Sequence, residues 1–252
     1  SLRGDVSVSG SKNAALPLIA GSILATGETV LRNVPKLRDI DVMLEILRYL
    51  GADASHIDNT VRIRADRIVS KPIPAEYVGK LRGSIVVLGP LLARFGVGEM
   101  AYPGGCILGK RPVGAHITAL TQMGAVDMST EESLHLQGTL RPGRVILPEF
   151  SVTATENIIL AASMLQGETR IEIAAAEPHV QDVERFAVAM GASIDGIGTH
   201  TVIVRGSKQL HAVEHTVIGD YLEMGVLTLA ALVTRGKVRI HGAEPEQLIM
   251  FL

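Results

Sequence analysis

The apolar positions along this chain fall into two kinds of run. One kind has helical spacing and a polar face, as in "LRDIDVMLEILRYLG". The other is apolar nearly all round: "NAALPLIAGSILATG", "RGSIVVLGPLLARFG", "ENIILAASMLQG" and "YLEMGVLTLAALVTRG". A helix without a polar face belongs inside a domain. Pro17 lies within the first of these runs and predicts a kink or a late helix start. Between the helices, "ASHIDNTVRIRA" and "ASIDGIGTHTVIVRG" alternate around Asn and Gly turn residues and predict strand pairs.

The same order of pieces recurs. "GETVLRNVPKLRDIDVMLEILRYLGADA" starts at Gly27, "VGEMAYPGGCILGKRPVGAHITALTQMGAVD" at Val97, and "GETRIEIAAAEPHVQDVERFAVAMGASI" at Gly167. Each has a Gly turn, a short β-like run, a loop, and a helical stretch stopped by Gly51-Ala52, Gly124-Ala125 or Gly191-Ala192. Glycine suits the left-handed residue that closes a last helical turn. The unit is β-α-β-α-β-β, roughly 70 residues long, and a repeat of this kind governs the whole fold. A fourth unit starts near Val213 and stops inside its second helix at "EQLIMFL", while "SLRGDVSVSG" opens on a strand; the pattern predicts a truncated chain.

Composition narrows the class. Of 252 residues 47% are apolar but only 3% aromatic, so the core must be aliphatic. The net charge is −2 with no long run of either sign, which argues against nucleic acid as the main partner. No basic-then-apolar leader pattern opens the sequence, and the apolar runs are too short to span a bilayer. With one cysteine no internal disulfide can form, and a reducing cytoplasm is the simplest setting.

That cysteine, Cys106, lies in "AYPGGCILGKRPVGAH" among Gly104, Gly105 and Gly109, with Lys110 and Arg111 close behind. Two readings stand side by side. Most free cysteines are small buried hydrophobes. A glycine-rich loop lies on the surface, however, and adjacent cations favour the thiolate. No histidine is marked as a base for a papain-like nucleophile, and the spacing for zinc is absent.

Lys12, in "SGSKNAAL", falls at the start of an apolar helix, where the macrodipole disfavours a cation unless an anion shares the site. A solvated surface lysine is the simpler account of that residue by itself. Arg82 stands at the polar start of another apolar helix, Arg111-Pro112 precedes a third, and "SVTATENI" offers Ser/Thr N-caps to a fourth. Together these openings suggest a phosphorylated ligand, although neither a Walker A pattern nor GxGxxG is present.

The series "GSKNAAL", "NVPKLRDIDVM", "LGPLLARFG", "PGGCILGKRP" and "TENIILAA" resembles the UDP-N-acetylglucosamine 1-carboxyvinyltransferases, a family of enolpyruvyl transferases, over essentially the whole chain. The resemblance implies an α/β (α+β) protein, an inside-out α/β barrel of two domains with three repeats each. Residues 13–218 would be one three-repeat domain carrying the cysteine loop. Residues 1–12 and 219–252 would belong to an incomplete second domain, whose remainder, with the base for the sugar hydroxyl, is the missing C-terminal half of the same enzyme.

The implied reaction moves the enolpyruvyl group of phosphoenolpyruvate to the 3′-hydroxyl of UDP-N-acetylglucosamine, with loss of phosphate. It implies a cytoplasmic enzyme of peptidoglycan precursor synthesis, with no metal or organic cofactor, no nucleic acid and no membrane. By resemblance Cys106 would protonate C3 of phosphoenolpyruvate and be the thiol alkylated by fosfomycin. Lys12, Asn13 and Arg111 would bind phosphoenolpyruvate. Arg82, Arg111, Pro112, Val113, Gly114, Ala115, Ser151 and Val152 would bind the nucleotide sugar, with Ser151 and Val152 at the diphosphate. The chain departs from the family pattern at Gly114, usually acidic; at Thr153, often glycine; at Glu149, commonly lysine; and at Tyr221, usually arginine. Those departures leave two alternatives: an enolpyruvyl transferase with another acceptor, or a UDP-sugar-binding paralogue without turnover.

Overall fold

A computed structural model of the chain describes residues 1–104, 112–242 and 244–249. Cys106 and Arg111 therefore lie outside the described residues.

The chain opens with β1 (Arg3–Ser7) and α1 (Lys12–Gly21). The first repeat follows as β2 (Glu28–Arg32), α2 (Arg38–Leu50) and the hairpin β3 (Asp53–Ile57) and β4 (Thr60–Arg64). The second contains α3 (Ala75–Val78), α4 (Leu88–Phe95), β5 (Val97–Ala101), α5 (Gly114–Gln122), β6 (Val126–Asp127) and β7 (Ser133–Gln137). The third contains β8 (Arg144–Ile146), α6 (Val152–Ser163), β9 (Gly167–Glu172), α7 (Pro178–Met190), β10 (Ser193–Asp195) and β11 (Thr201–Gly206). Then come β12 (Glu214–Thr216), α8 (Tyr221–Val233) and β13 (Lys237–His241).

Three sheets surround the helices. Their strand orders are β12-β2-β4-β3, β5-β7-β6 and β8-β9-β11-β10. In the first and third, the opening strand pairs in parallel with the second (Glu214 with Val30, Arg144 with Arg170), and the hairpin closes the sheet antiparallel. In the second sheet the equivalent parallel partner is reduced to one bridge, Ile73 with Met100. Pro72 and Pro74 flank Ile73 and remove the donors a longer strand would need. β1 and β13 form a separate two-stranded parallel sheet.

The apolar helices α1, α4 and α6 lie inside this ring, which makes it an inside-out α/β barrel. The fourth apolar run, α8, does not: only Met224 of it is buried, and Leu222, Val226, Leu229, Leu232 and Val233 are exposed beside the small β1–β13 sheet rather than packed in the ring. Every residue of α1 from Ala14 to Gly21 and of α6 from Ala154 to Ser163 is buried. α6 is central and packs against α1, α4, α5 and α7. The strands show the matching alternation, with Leu134 and Leu136 of β7 buried between more exposed neighbours. Gly51 and Gly191 close α2 and α7 at φ 109° and 117°, and Gly124 follows α5 at 102°, as the repeat predicts. No helix among the described residues is long and apolar enough to cross a membrane.

Several local expectations need correction. α1 starts at Lys12, without the late start that Pro17 suggested; the helix runs through the proline to Gly21. Pro17 has no N–H to give to the Asn13 carbonyl, so one bond is lost rather than the helix. The run from Arg82 to Phe95 is not one α-helix: Arg82–Val87 is a 3₁₀ helix and only Leu88–Phe95 is α-helical. The change falls just ahead of Pro90, which could not bond back to Val86 in an α-helix. The second repeat also has a hairpin, β6–β7, which the two-residue length of β6 hides in the sequence. After β13, the expected helix is a single 3₁₀ turn, Pro245–Leu248, within the described residues.

Candidate active site

A cleft of about 420 Å³ lies where four helix starts converge, those of α1, α2, α6 and α7. Lys12, Asn13, Leu16 and Pro17 of α1 form one wall. Val152, Thr153 and Glu156 of α6 face them, with His179 of α7 beside. Asp39, at the start of α2, and the segment Lys80 to Gly83 complete the lining together with Val86. Helix N-termini carry unpaired N–H groups and a positive partial charge, so converging starts favour an anion.

Local sequence fixes these starts. Ser11 caps α1 and Ser151 caps α6, each side-chain oxygen accepting from the N–H three residues on, Ala14 and Ala154, at 3.4 Å. Lys12 is thereby the first residue of its helix, and its unfavourable place is offset by Asp39, whose Oδ2 lies 2.8 Å from Lys12 Nζ.

Arg82 reaches across the cleft rim. Its Nη1 donates to the Pro103 carbonyl at 3.4 Å and its Nη2 to the Pro112 carbonyl at 3.0 Å. One guanidinium thus ties both flanks of the segment that holds Cys106 and Arg111.

Beneath the cleft runs a buried polar chain. Asn157 Oδ1 accepts from the Gly89 N–H at 2.6 Å, and Nδ2 donates to the Ile85 carbonyl at 2.9 Å. These two backbone partners fix which way the amide points. Nδ2 therefore also donates to His116 Nδ1 at 2.9 Å, leaving His116 Nε2 to carry the ring proton and donate to Thr153 Oγ at 3.0 Å. Burial, and secondarily the charge of Arg82, push His116 down to about 3, so it is neutral in this role. Gly89 is required where α4 meets α6: a Cβ there would fall on the Asn157 carbonyl and 2.7 Å from its side-chain oxygen.

The far end of the cleft is acidic and half hidden. Glu156 is 1% exposed, its Oε1 has no hydrogen-bond partner, and its carboxyl is held well above the usual range by burial and then by Glu177. Glu177 Oε2 is also without a partner. His179, pushed down by burial, stacks on Tyr221 with ring centroids 6.0 Å apart.

Of the residues singled out in the sequence, Lys12, Asn13, Arg82 and Val152 line the cleft and Ser151 caps the helix beside it. Pro112, Val113, Gly114 and Ala115 are not among its lining; they lead into α5, joined to the rim through the Pro112 carbonyl. A Cβ at Gly114 would meet no atom of the described residues within 4 Å. The sequence reading missed Asp39, Lys80, Glu156 and His179 as cleft residues. Glu156 alone carried a signal, a lone acid inside "TENIILAA", since an unpaired buried carboxyl is costly without a purpose.

A cleft of converging helix starts, carrying Lys12, Lys80 and Arg82, inside a ring of repeated sheets defines a class, the inside-out α/β barrel. Its solved neighbours share that fold. The enolpyruvyl transferase NikO from Streptomyces tendae superposes with TM-score 0.78 at 24% identity, over 90% of this chain and 55% of that one. EPSP synthase from Acinetobacter baumannii does so with TM-score 0.71 at 20% identity, over 92% and 53%. The sequence pattern of EPSP synthase (3-phosphoshikimate 1-carboxyvinyltransferase) matches residues 1–250, and the chain belongs to that family. Its curated relatives include the UDP-N-acetylglucosamine 1-carboxyvinyltransferases of Shewanella amazonensis, 43% identical over 98% of this chain, and of Methylacidiphilum infernorum, 41% identical over 98%. The chain spans about 60% of the length of these relatives.

Proposed function

We propose that this chain is part of an enolpyruvyl transferase that moves the enolpyruvyl group of phosphoenolpyruvate to the 3′-hydroxyl of UDP-N-acetylglucosamine. The relatives that carry this name, at 41–43% identity over nearly the whole chain, support the acceptor. The observation that carries the reading at the site is the gathering of Lys12, Asn13, Arg82 and the α6 start around one cleft, with Arg82 holding both flanks of the Cys106 segment.

In the proposed reaction the sugar hydroxyl gives its proton to a base in the remainder of the enzyme as its oxygen bonds to C2 of phosphoenolpyruvate, while C3 gains a proton from Cys106. A tetrahedral ketal results. The C2–O bond to phosphate then breaks, phosphate leaves with the electron pair, and C3 gives up a proton to restore the vinyl group. Both steps concentrate negative charge, which fixed cations and helix starts stabilise without reorganising. Lys12, Asn13 and Arg111 serve phosphoenolpyruvate; Arg82, 111–115, Ser151 and Val152 serve the nucleotide sugar. We assign 13–218 to one domain and 1–12 with 219–252 to part of a second, a division supported by the separate β1–β13 sheet. The remainder of the same enzyme completes the site, and peptidoglycan precursor synthesis in the cytoplasm is the setting.

The test is phosphate release by the complete protein from phosphoenolpyruvate, with UDP-N-acetylglucosamine and with shikimate 3-phosphate as separate acceptors. Release with the UDP-sugar alone, lost in Cys106→Ala, is expected, together with a fosfomycin adduct on Cys106 by intact mass and peptide mapping. Release with shikimate 3-phosphate alone would reassign the acceptor, and binding of the UDP-sugar without release would identify a non-catalytic paralogue.

A further inference from the structure

Glu156 has no structural reason for being where it is. It lines the cleft, yet it is 1% exposed, its Oε1 has no hydrogen-bond partner, and no described residue forms an ion pair with it. Buried polar groups are nearly always paired, and an unpaired one destabilises the fold. The groups around it explain why no cation neutralises it. Lys12 of α1 is held by Asp39 of α2, and Arg82 is turned to the Pro103 and Pro112 carbonyls, while Lys80 lines the same cleft. From the α7 side come Glu177 and His179, and Glu177 repels a charge on Glu156. Burial and Glu177 both disfavour its ionised form, and an un-ionised carboxyl carries one O–H donor.

Thr153 lies three residues earlier on α6, so the two side chains share one helix face. Its Oγ accepts the His116 Nε2 proton, and that is its one hydrogen bond among the described residues. The hydroxyl hydrogen of Thr153 is thus uncommitted, like that of Glu156. Two neutral donors stand side by side on the first turns of α6, at the positive end of its dipole, in a cleft that also holds Lys12 and Lys80.

We propose that Thr153 and Glu156 together bind a phosphate oxygen of the substrate, Glu156 acting as a hydrogen-bond donor. This rests on the proposed function and adds to it two binding groups and a protonation state. Both substrates of that reading carry phosphate, so the experiment must separate them. It also accounts for the orphaned acid: the group is unfavourable in the empty protein and satisfied in the complex.

The complete protein and its E156L, E156Q and T153V variants are titrated calorimetrically with phosphoenolpyruvate and, separately, with UDP-N-acetylglucosamine, between pH 6 and 9. E156L should weaken one of the two ligands roughly tenfold or more while raising the melting temperature of the ligand-free protein. T153V should weaken the same ligand, which identifies the phosphate. E156Q, which keeps a neutral donor, should rescue most of the affinity lost in E156L and remove the loss of affinity at high pH. Unchanged affinities in E156L, or a lowered melting temperature in both Glu156 variants, would overturn the inference. So would E156Q binding as poorly as E156L, which would mark an ionised acceptor. Should E156L not fold, E156Q decides alone: affinity kept with its pH dependence lost supports the pairing, and affinity lost rejects it. If the unsubstituted protein binds neither ligand, the proposed function fails and this pairing with it, a result visible before any variant is made.

Discussion

Lys12 Nζ stands 2.8 Å from Asp39 Oδ2, so the cation that opens α1 is already paired before an anionic ligand enters the cleft. Both side chains are more than a third exposed, so the pair contributes at most about 1 kcal/mol to the fold. Its consequence is for binding. Asp39→Asn should tighten phosphoenolpyruvate several-fold at low ionic strength, because one competing negative charge is removed, and Lys12→Ala should weaken it more than tenfold. Calorimetric titration at two salt concentrations checks both. Equal affinities in Asp39→Asn and the unsubstituted protein would show that Asp39 does not compete with the ligand.

His116 should make stability depend on pH. Its folded value of about 3 lies below the ordinary 6.5, so between those values the unfolded chain binds the extra proton. Stability from this group is fully present above about pH 6.5 and falls as pH drops toward 3, by about 1.4 kcal/mol per pH unit at most. His116→Gln, which cannot charge, should flatten that slope between pH 6 and 4. Urea midpoints of the two proteins across this range decide it; parallel slopes would reject the assignment.

Glu184 should give the opposite sign. It is buried, one oxygen accepts from the Gly198 N–H at 3.2 Å, the other has no partner, and burial raises it to about 7. Here the folded chain keeps a proton that the unfolded chain has released, so stability declines as pH rises from about 4.5 to 7. Glu184→Gln should raise the melting temperature at pH 8 by several degrees and change it little at pH 5, as read by scanning calorimetry.

Gly89→Ala should destabilise by roughly 1–3 kcal/mol, because the new Cβ meets Asn157 rather than a flexible chain end. The same change should disturb the Asn157–His116–Thr153 chain and so weaken phosphate binding as well. Gly114→Ala, whose Cβ meets nothing within 4 Å among the described residues, serves as the control and should unfold within about 0.5 kcal/mol of the unsubstituted protein.

What the sequence determined by itself is whatever depends on a few neighbouring residues. The all-round apolar stretches place α1, α4 and α6 inside, though not α8; the repeated Gly-Ala pairs end three helices, and Ser151 caps α6. Such signals act over one or two turns, and recurrence made them legible. They failed where a neighbour overrode them: Pro90 divides the Arg82–Phe95 run, and β6 is too short to show a period. Only the tertiary structure decided which polar groups meet. Asp39 reaches Lys12 across 27 positions, and Asn157 reaches His116 across 41. Arg82 meets Pro112 across 30. Glu156 becomes a buried acid whose ionised form is disfavoured, because the packing of α6 at the centre of the barrel removes water and brings Glu177 near. A hydrogen bond or a desolvated charge depends on distance and surroundings in space, and those exist only once the helices have packed.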